Sequence, residues 1–204
     1  MDSTGQITLE IIQRIRTDGG NGIEAFTRRH GPKLLVFVRY KLGEQLKLKV
    51  DPEDVLQDFF MAVLKNREGF LDRVDERGVH RTVFRMLENL IRDLYKHYYK
   101  TKKRDGKLEV HEKRGSAESS GIAMSQLAGP STSFTARIES QDEYRSLERI
   151  LDQIDEESKR FFVLKFVQEL TNQEIADELE VSVSTVKRSS ADLIQLIQKL
   201  RRGG

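Results

Sequence analysis

Thr171 to Arg202 reads TNQEIADELEVSVSTVKRSSADLIQLIQKLRR, and its spacing predicts two short helices joined by a tight turn. Thr171 stands three residues before Glu174, the spacing of a capping box. The Thr oxygen accepts from an orphan backbone N–H while the Glu side chain reaches back to another. Ile175, Ala176 and Leu179 then share one helical face. Glu180, Val181 and Ser182 interrupt the pattern, and Ser182 is a good N-cap for the next helix. That second helix is expected to place Val186, Leu193, Ile197 and Leu200 inside. Ser184, Thr185, Lys187 and Arg188 are left outward near its N-terminal end, as in a helix-turn-helix whose second helix enters the major groove. An ordinary helical hairpin with a solvated basic face accounts for the same residues, so the rest of the chain has to decide.

The 204 residues suffice for one or two small domains. Net charge is only +2 although a third of the residues are charged, so any nucleic-acid footprint must be a local cluster of cations. With no cysteine there is no disulfide framework and no thiolate metal site. His30, His80, His97 and His111 stand far apart without ligand spacing and read as surface or helix-face histidines. No metal or other cofactor is expected. No apolar run approaches the roughly 18–20 residues needed to cross a bilayer. The first fifteen residues, MDSTGQITLEIIQRI, lack a signal-peptide layout. The expectation is a soluble cytoplasmic protein.

From the N-terminus, Ile7, Ile11, Ile12 and Ile15 have helical spacing, and residues 17–22 (TDGGNG) break it. A second helix follows on Ile23, Phe26, Leu34, Phe37, Val38 and Leu42, which Gly31-Pro32 is expected to bend or split. Both look like packing elements. Asp51 to Asn66, DPEDVLQDFFMAVLKN, says more. Asp51 is an N-cap and Pro52 takes the first helical position, where its missing N–H costs nothing. Glu53 and Asp54 suit the positive end of the helix dipole. Val55, Leu56, Phe59, Phe60, Val63 and Leu64 form a broad apolar face. Asp54, Gln57, Asp58 and Met61 form the opposite stripe, either a solvated acidic face or a docking face for a basic partner.

Glu68 to Gly78 reads as a charged loop. A long helix is expected from Val79 to about Lys103, with Val83, Phe84, Leu87, Leu90, Ile91, Leu94 and Tyr98 inward. Its other side carries Arg85, Asn89, Arg92, Lys96, Tyr99 and Lys100 and runs out through Lys103. Cations with interleaved rings suit a nucleic-acid strand, because cations neutralise phosphates and rings stack on unpaired bases. A solvated helix with a basic C-terminal end explains them too. Residues 105–139, rich in Gly, Ser, Lys and Glu, lose all periodicity and read as a flexible linker. From Ser140, Tyr144, Leu147, Ile150, Leu151 and Ile154 resume a helix. Asp155 caps the next one, whose large apolar residues are Phe161, Phe162, Leu164 and Phe166. The expected fold class is all-α, in two small helical domains, 1–104 and 140–204.

These parts in this order resemble the extracytoplasmic-function (ECF) sigma factors of the sigma-70 family, which join a helical sigma-two domain to a helical sigma-four domain by a flexible linker. Asp54-Val55-Leu56-Gln57-Asp58-Phe59-Phe60 is similar to the family's D-x-x-Q-[DE]-x-F segment. The resemblance implies that Asp54, Gln57 and Asp58 contact the β′ clamp helices of RNA polymerase. Phe84 to Lys96 resembles the helix that reads the −10 element, with Asn89 and Asp93 meeting its N-x-x-x-D spacing. Asn89 would sit near an extruded base, Arg85 on the same DNA face, and Arg92, Lys96, Lys100 and Lys103 near phosphates; Asp93 would be mainly a structural partner. The run from Ile150 to Arg188 is similar to the sigma-four domain with its E-I-A…T-V-K motif, which implies that Ser184, Thr185, Lys187 and Arg188 read or grip the −35 element.

Departures from the family pattern are Thr82-Val83 where a Trp-Leu pair is common, Asp155 for a Pro, Glu180 for the turn Gly, and Ser189-Ser190-Ala191-Asp192 for an arginine-rich tail. The partners implied are core RNA polymerase, through its β′ clamp and β flap, and promoter DNA, with room for an anti-sigma factor and no membrane insertion. The linker would thread near the polymerase active-site channel. A free-standing helix-turn-helix regulator explains the C-terminal half but leaves the Asp54 stripe without a task. An enzyme reading, such as a nuclease using Asp54 and Asp58, lacks a third ligand, a general base and a phosphate-cradling loop. A pure interaction bundle leaves the Lys/Arg placement unused.

Overall fold

The computed structural model describes residues 13–74, 78–100 and 142–202. The expected linker 105–139, Lys103, His111 and the isoleucines before residue 13 lie outside the described residues. Among the described residues every element is helical, and the fold is all-α.

A short helical stretch, 13–17, precedes α1 (Gly19–Lys47). The expected break at 17–22 narrows to Asp18, after which α1 begins. Helix α1 runs through Pro32 and is not split at Gly31-Pro32. Its non-helical residue is Gly43, at φ 58 and ψ 174, a region essentially reserved for glycine. The carbonyl of Leu42 there accepts a 2.6 Å hydrogen bond from the Tyr95 hydroxyl. A distant side chain thus supports the kink.

α1 is buried on more than one face. Leu34, Leu35, Val36, Phe37 and Val38 are five consecutive residues with almost no exposure. Sequence spacing picks out Leu34, Phe37 and Val38 as one face; Leu35 and Val36 show that the opposite side is covered as well. A helix apolar all round needs neighbours all round. On one side lie α2 (Pro52–Lys65) and α4 (Gly78–Tyr95). On the other lie α5 (Asp142–Asp152) and the π-helical turn Val163–Val167.

Local signals set most helix ends. The Asp51 side chain accepts from the Glu53 N–H at 2.9 Å and starts α2, which buries Val55, Leu56, Phe59, Phe60 and Val63. Asn66 accepts from the Gly69 N–H at 3.1 Å and starts α3 (Arg67–Leu71). The expected loop at Glu68 therefore begins as a helical turn, because Asn66 caps it and Phe70 is buried beneath it. α4 buries Val79, Thr82, Val83, Phe84, Leu87, Ile91 and Leu94. It ends as α-helix at Tyr95, where Lys96–Lys100 widens into a π-helical turn. Asp155 accepts from Ser158 N–H at 3.0 Å and starts α6 (Glu156–Phe162).

Two of the histidines expected at the surface or on helix faces are half-buried on facing helices and packed together. The rings of His30 on α1 and His80 on α4 lie 4.9 Å apart, bracketed by Phe26 at 4.6 Å from His30 and Phe84 at 4.7 Å from His80. They are fifty residues apart in sequence, so no local spacing marks them. Burial is the main reason that both are held below the ordinary histidine value, His30 to about 3 and His80 to about 4. The His80 ring and Arg29 add to the effect on His30. For His80, Glu169 opposes it while Lys33 and Arg81 reinforce it.

Both rings are neutral in the folded chain at pH 7, and the unfolded chain takes up their protons below about 6.5. Stability is therefore full above pH 6.5 and falls as the pH drops towards 4, by up to about 1.4 kcal/mol per pH unit for each ring. Urea midpoints should fall between pH 7 and 5.5, and H80Q should flatten that fall. The same pH dependence in both proteins would exclude His80 as the titrating group.

Candidate nucleic-acid interface

The helix-turn-helix consists of α7 (Asn172–Leu179) and α8 (Val183–Arg202). The capping box read from Thr171 and Glu174 is formed. Glu174 N–H donates to the Thr171 hydroxyl at 3.3 Å, and Thr171 N–H donates to the Glu174 carboxylate at 2.8 Å. The Ser182 hydroxyl accepts from Thr185 N–H at 3.1 Å and caps α8. Between the helices Glu180 takes the left-handed conformation, φ 56 and ψ 41. The next amide, Val181 N–H, donates to the Ala176 carbonyl at 3.0 Å. A tight turn of this geometry favours glycine, so this departure from the family pattern leaves an L-residue in a disfavoured conformation. Ile175, Ala176, Val186 and Leu193 are buried, which locks the two helices together. Ile197 and Leu200, expected inside, are only partly covered.

This lock presents the first turns of α8. Ser184, Lys187 and Arg188 are exposed and Thr185 is half-buried. The hydroxyls of Ser184 and Thr185 lie 2.7 and 2.8 Å from that of Ser182. Two cations and two hydroxyls thus share the start of one helix, where the unpaired N–H groups and the positive dipole end add to the attraction for phosphate.

On α4, Arg85, Asn89, Arg92 and Lys96 are all exposed on one side. Arg92 reaches the Asn89 carbonyl oxygen at 3.4 Å, and Lys96 donates to Asp93 at 2.8 Å. Asp93 therefore serves locally as a partner of Lys96. Arg85 donates to the Arg73 carbonyl at 3.4 Å, which ties α4 to the segment before it. Lys100 belongs to the π-helical turn, its side chain outside the described residues. Next to Asn89 is a cleft of about 630 Å³, with Phe59, Phe70 and Met86 supplying an apolar wall and Arg73, Asn89 and Lys96 a polar one. Sequence reading missed Phe70, Arg73 and Met86 as members of this site. They come from separate elements, and only the packing of α2, α3 and α4 brings them together.

The stripe on α2 is presented as its spacing suggests. Asp54 is exposed; Gln57 and Asp58 are half-buried. Burial raises the Asp58 carboxyl above its ordinary value, and the charge of Asp54 one turn away raises it further. The stripe and the α4 face lie on helices that pack on each other and on α1, while α8 packs on α6 and α7.

Among the described residues no helix is long and apolar enough to cross a membrane. Residues 144–189, under a quarter of the chain, match the family model for Sigma-70, region 4. The match runs from α5 through the first turns of α8 and so covers α7, the turn and Ser184, Thr185, Lys187 and Arg188. It supports a sigma-70-like DNA-binding module there. No curated protein matches the chain.

Replacing Glu180 by Gly should relieve the turn. E180G is expected to raise the stability of the helix-turn-helix by about 1 kcal/mol, measured by denaturant unfolding. A loss of stability would mean that the Glu180 side chain contributes more than its backbone costs.

Proposed function

We propose that the protein is a sigma factor of the extracytoplasmic-function type, which binds core RNA polymerase in the cytoplasm and directs it to promoters without catalysing a reaction itself. One observation carries this reading. The region matching a sigma-70 region 4 contains a capped helix-turn-helix whose exposed Ser184, Lys187 and Arg188, with half-buried Thr185 among them, suit −35 duplex DNA. The α4 face and the Asp54 stripe supply what a −35 reader alone would lack.

Melting a promoter breaks stacked pairs at about 1.4 kcal/mol per step, more than a small protein's groove contacts supply. Docked on polymerase, the chain borrows that enzyme's grip on DNA, and tethering two readers to one body raises the effective concentration of each. Asp54, Gln57 and Asp58 meet the β′ clamp and the C-terminal module meets the β flap. Lys187 and Arg188 neutralise phosphates of the −35 duplex while Ser184 and Thr185 reach towards it. Downstream, Asn89 stands at the mouth of a cleft suited to an extruded base, which is read on its exposed edge. Arg85, Arg92, Lys96, Lys100 and Lys103 follow the strand. An anti-sigma factor would act by covering these same surfaces.

Mixing the purified protein with sigma-free core polymerase tests this. A stable complex and promoter-dependent initiation are expected. D54A/Q57A should weaken polymerase binding at least tenfold while the circular-dichroism spectrum stays helical; unchanged affinity would remove the docking role of the stripe. K187A/R188A should lower dependence on the −35 element and reduce the salt slope of DNA binding by about one unit per lost phosphate contact. Operator binding by a dimer that ignores polymerase would instead identify a free-standing regulator.

A further inference from the structure

The outer side of α4 does not stop at Lys96. Beyond it the chain widens into the π-helical turn Lys96–Lys100, in which two neighbouring tyrosines have different fates. Tyr98 is half-buried and packs against the core. Tyr99 is 40% exposed, one of the large apolar side chains turned outward among the described residues. Its ring is stacked on that of Tyr95, with centres 5.7 Å apart and planes inclined by 28°. Tyr95 is itself tied down, because its hydroxyl donates to the Leu42 carbonyl of α1 at 2.6 Å. The exposed ring is therefore backed by a second ring anchored to another helix. Its spacing sets Tyr99 among the cations of this side, yet neither the cleft beside Asn89 nor the Asp54 stripe uses it.

From this arrangement we propose that Tyr99 is a stacking platform for an unpaired nucleobase, separate from the cleft at Asn89 and on the same strand path. The proposal rests on the sigma-factor reading of the α4 face. A ring held in place beforehand loses little freedom when a base stacks on it, and its π-face accepts any base. Asn89, Arg92, Lys96 and Tyr99 are all exposed and follow one another at spacings of three and four, the spacing of one helical side. Arg92 and Lys96 thus stand between cleft and ring, where the phosphates joining two captured bases would pass. Asp93, the acidic group among them, is engaged by Lys96 at 2.8 Å. Asn89 and Tyr99 lie at most ~15 Å apart along the helix, which a strand with one phosphate per about 3.4 Å covers in about four nucleotides. The surroundings favour a polyanion over a protein partner. Lysine is depleted at the centres of protein interfaces, whereas Lys96 precedes the ring and the sequence after it reads Lys100-Thr101-Lys102-Lys103-Arg104.

A thymidine dodecamer carrying one 2-aminopurine tests this with the full-length protein, since the fluorescence of that base falls when it stacks. Quenching on binding is expected. Y99A should weaken binding about tenfold and remove most of the quenching, while the salt slope stays that of the parent because no phosphate contact is lost. K96A should do the reverse, lowering the slope by about one unit and leaving the bound probe quenched. Y99F and Y99W keep a π-face and should bind as the parent does. Y99L keeps the bulk without the π-face and should behave as Y99A does.

A parent protein that fails to bind or to quench the probe overturns the proposal, and so does a Y99A protein that binds and quenches as the parent does. Equal behaviour of Y99L and Y99F overturns it too. Loss of core-polymerase affinity in Y99A with the probe unaffected would make the ring a protein contact instead. If the probe behaves as stated but core polymerase is ignored, Tyr99 stands as a single-strand contact and the sigma-factor reading alone falls.

Discussion

The fold depends on covering the middle of a helix that, over five residues, has no side left for water. Five successive apolar residues, Leu34 to Val38, point in all directions around α1, and each is almost wholly buried. Burying a side chain of this size stabilises by about 1.5–3 kcal/mol relative to leaving it exposed. No single layer of helices can cover such a run. The N-terminal helices α2 and α4 take one side, and α5 with the 163–167 turn takes the other. The surfaces left for partners are those that this arrangement does not consume: the Asp54 stripe, the outer side of α4 and the first turns of α8.

The ion pairs along the seam between these two groups of helices, Lys33 with Glu169, Arg39 with Glu148 and Arg81 with Glu174, act differently. They are partly exposed, and such pairs contribute only about 0–1 kcal/mol each. They specify how the two groups of helices sit more than they hold them together. Apolar contact holds them together.

Among the described residues of the C-terminal module, one of the two unusual backbone positions lies at this boundary. Glu169 and Glu180 have positive φ without being glycine. Glu169 carries a seam carboxylate, and Glu180 turns the chain between the two helices of the motif. Glu169 also lies close enough to His30 and His80 to affect their charge, and the hydrogen bond and charge of Lys33 hold its own carboxyl below its usual value, against the opposing effect of burial. Backbone strain, buried rings and the interdomain ion pair thus meet in one place.

The residues themselves determined the helices and most of their ends. Asp51, Asp155, Thr171 and Ser182 cap as their positions suggest, because a cap is a bond to an amide two or three residues away. The all-α class and the presentation of Asp54, Asn89 and Lys187 follow from periodicity in the same way. The tertiary structure decided what depends on distant partners. Gly43, and not Pro32, interrupts α1, and its neighbouring carbonyl is met by Tyr95 fifty-three residues on. The histidine pair, the cleft beside Asn89 and the seam have no local signature. The three seam pairs join residues 136, 109 and 93 positions apart. Spacing within a few turns reports which side of a helix is apolar; which other helix covers it is settled only when the whole chain packs.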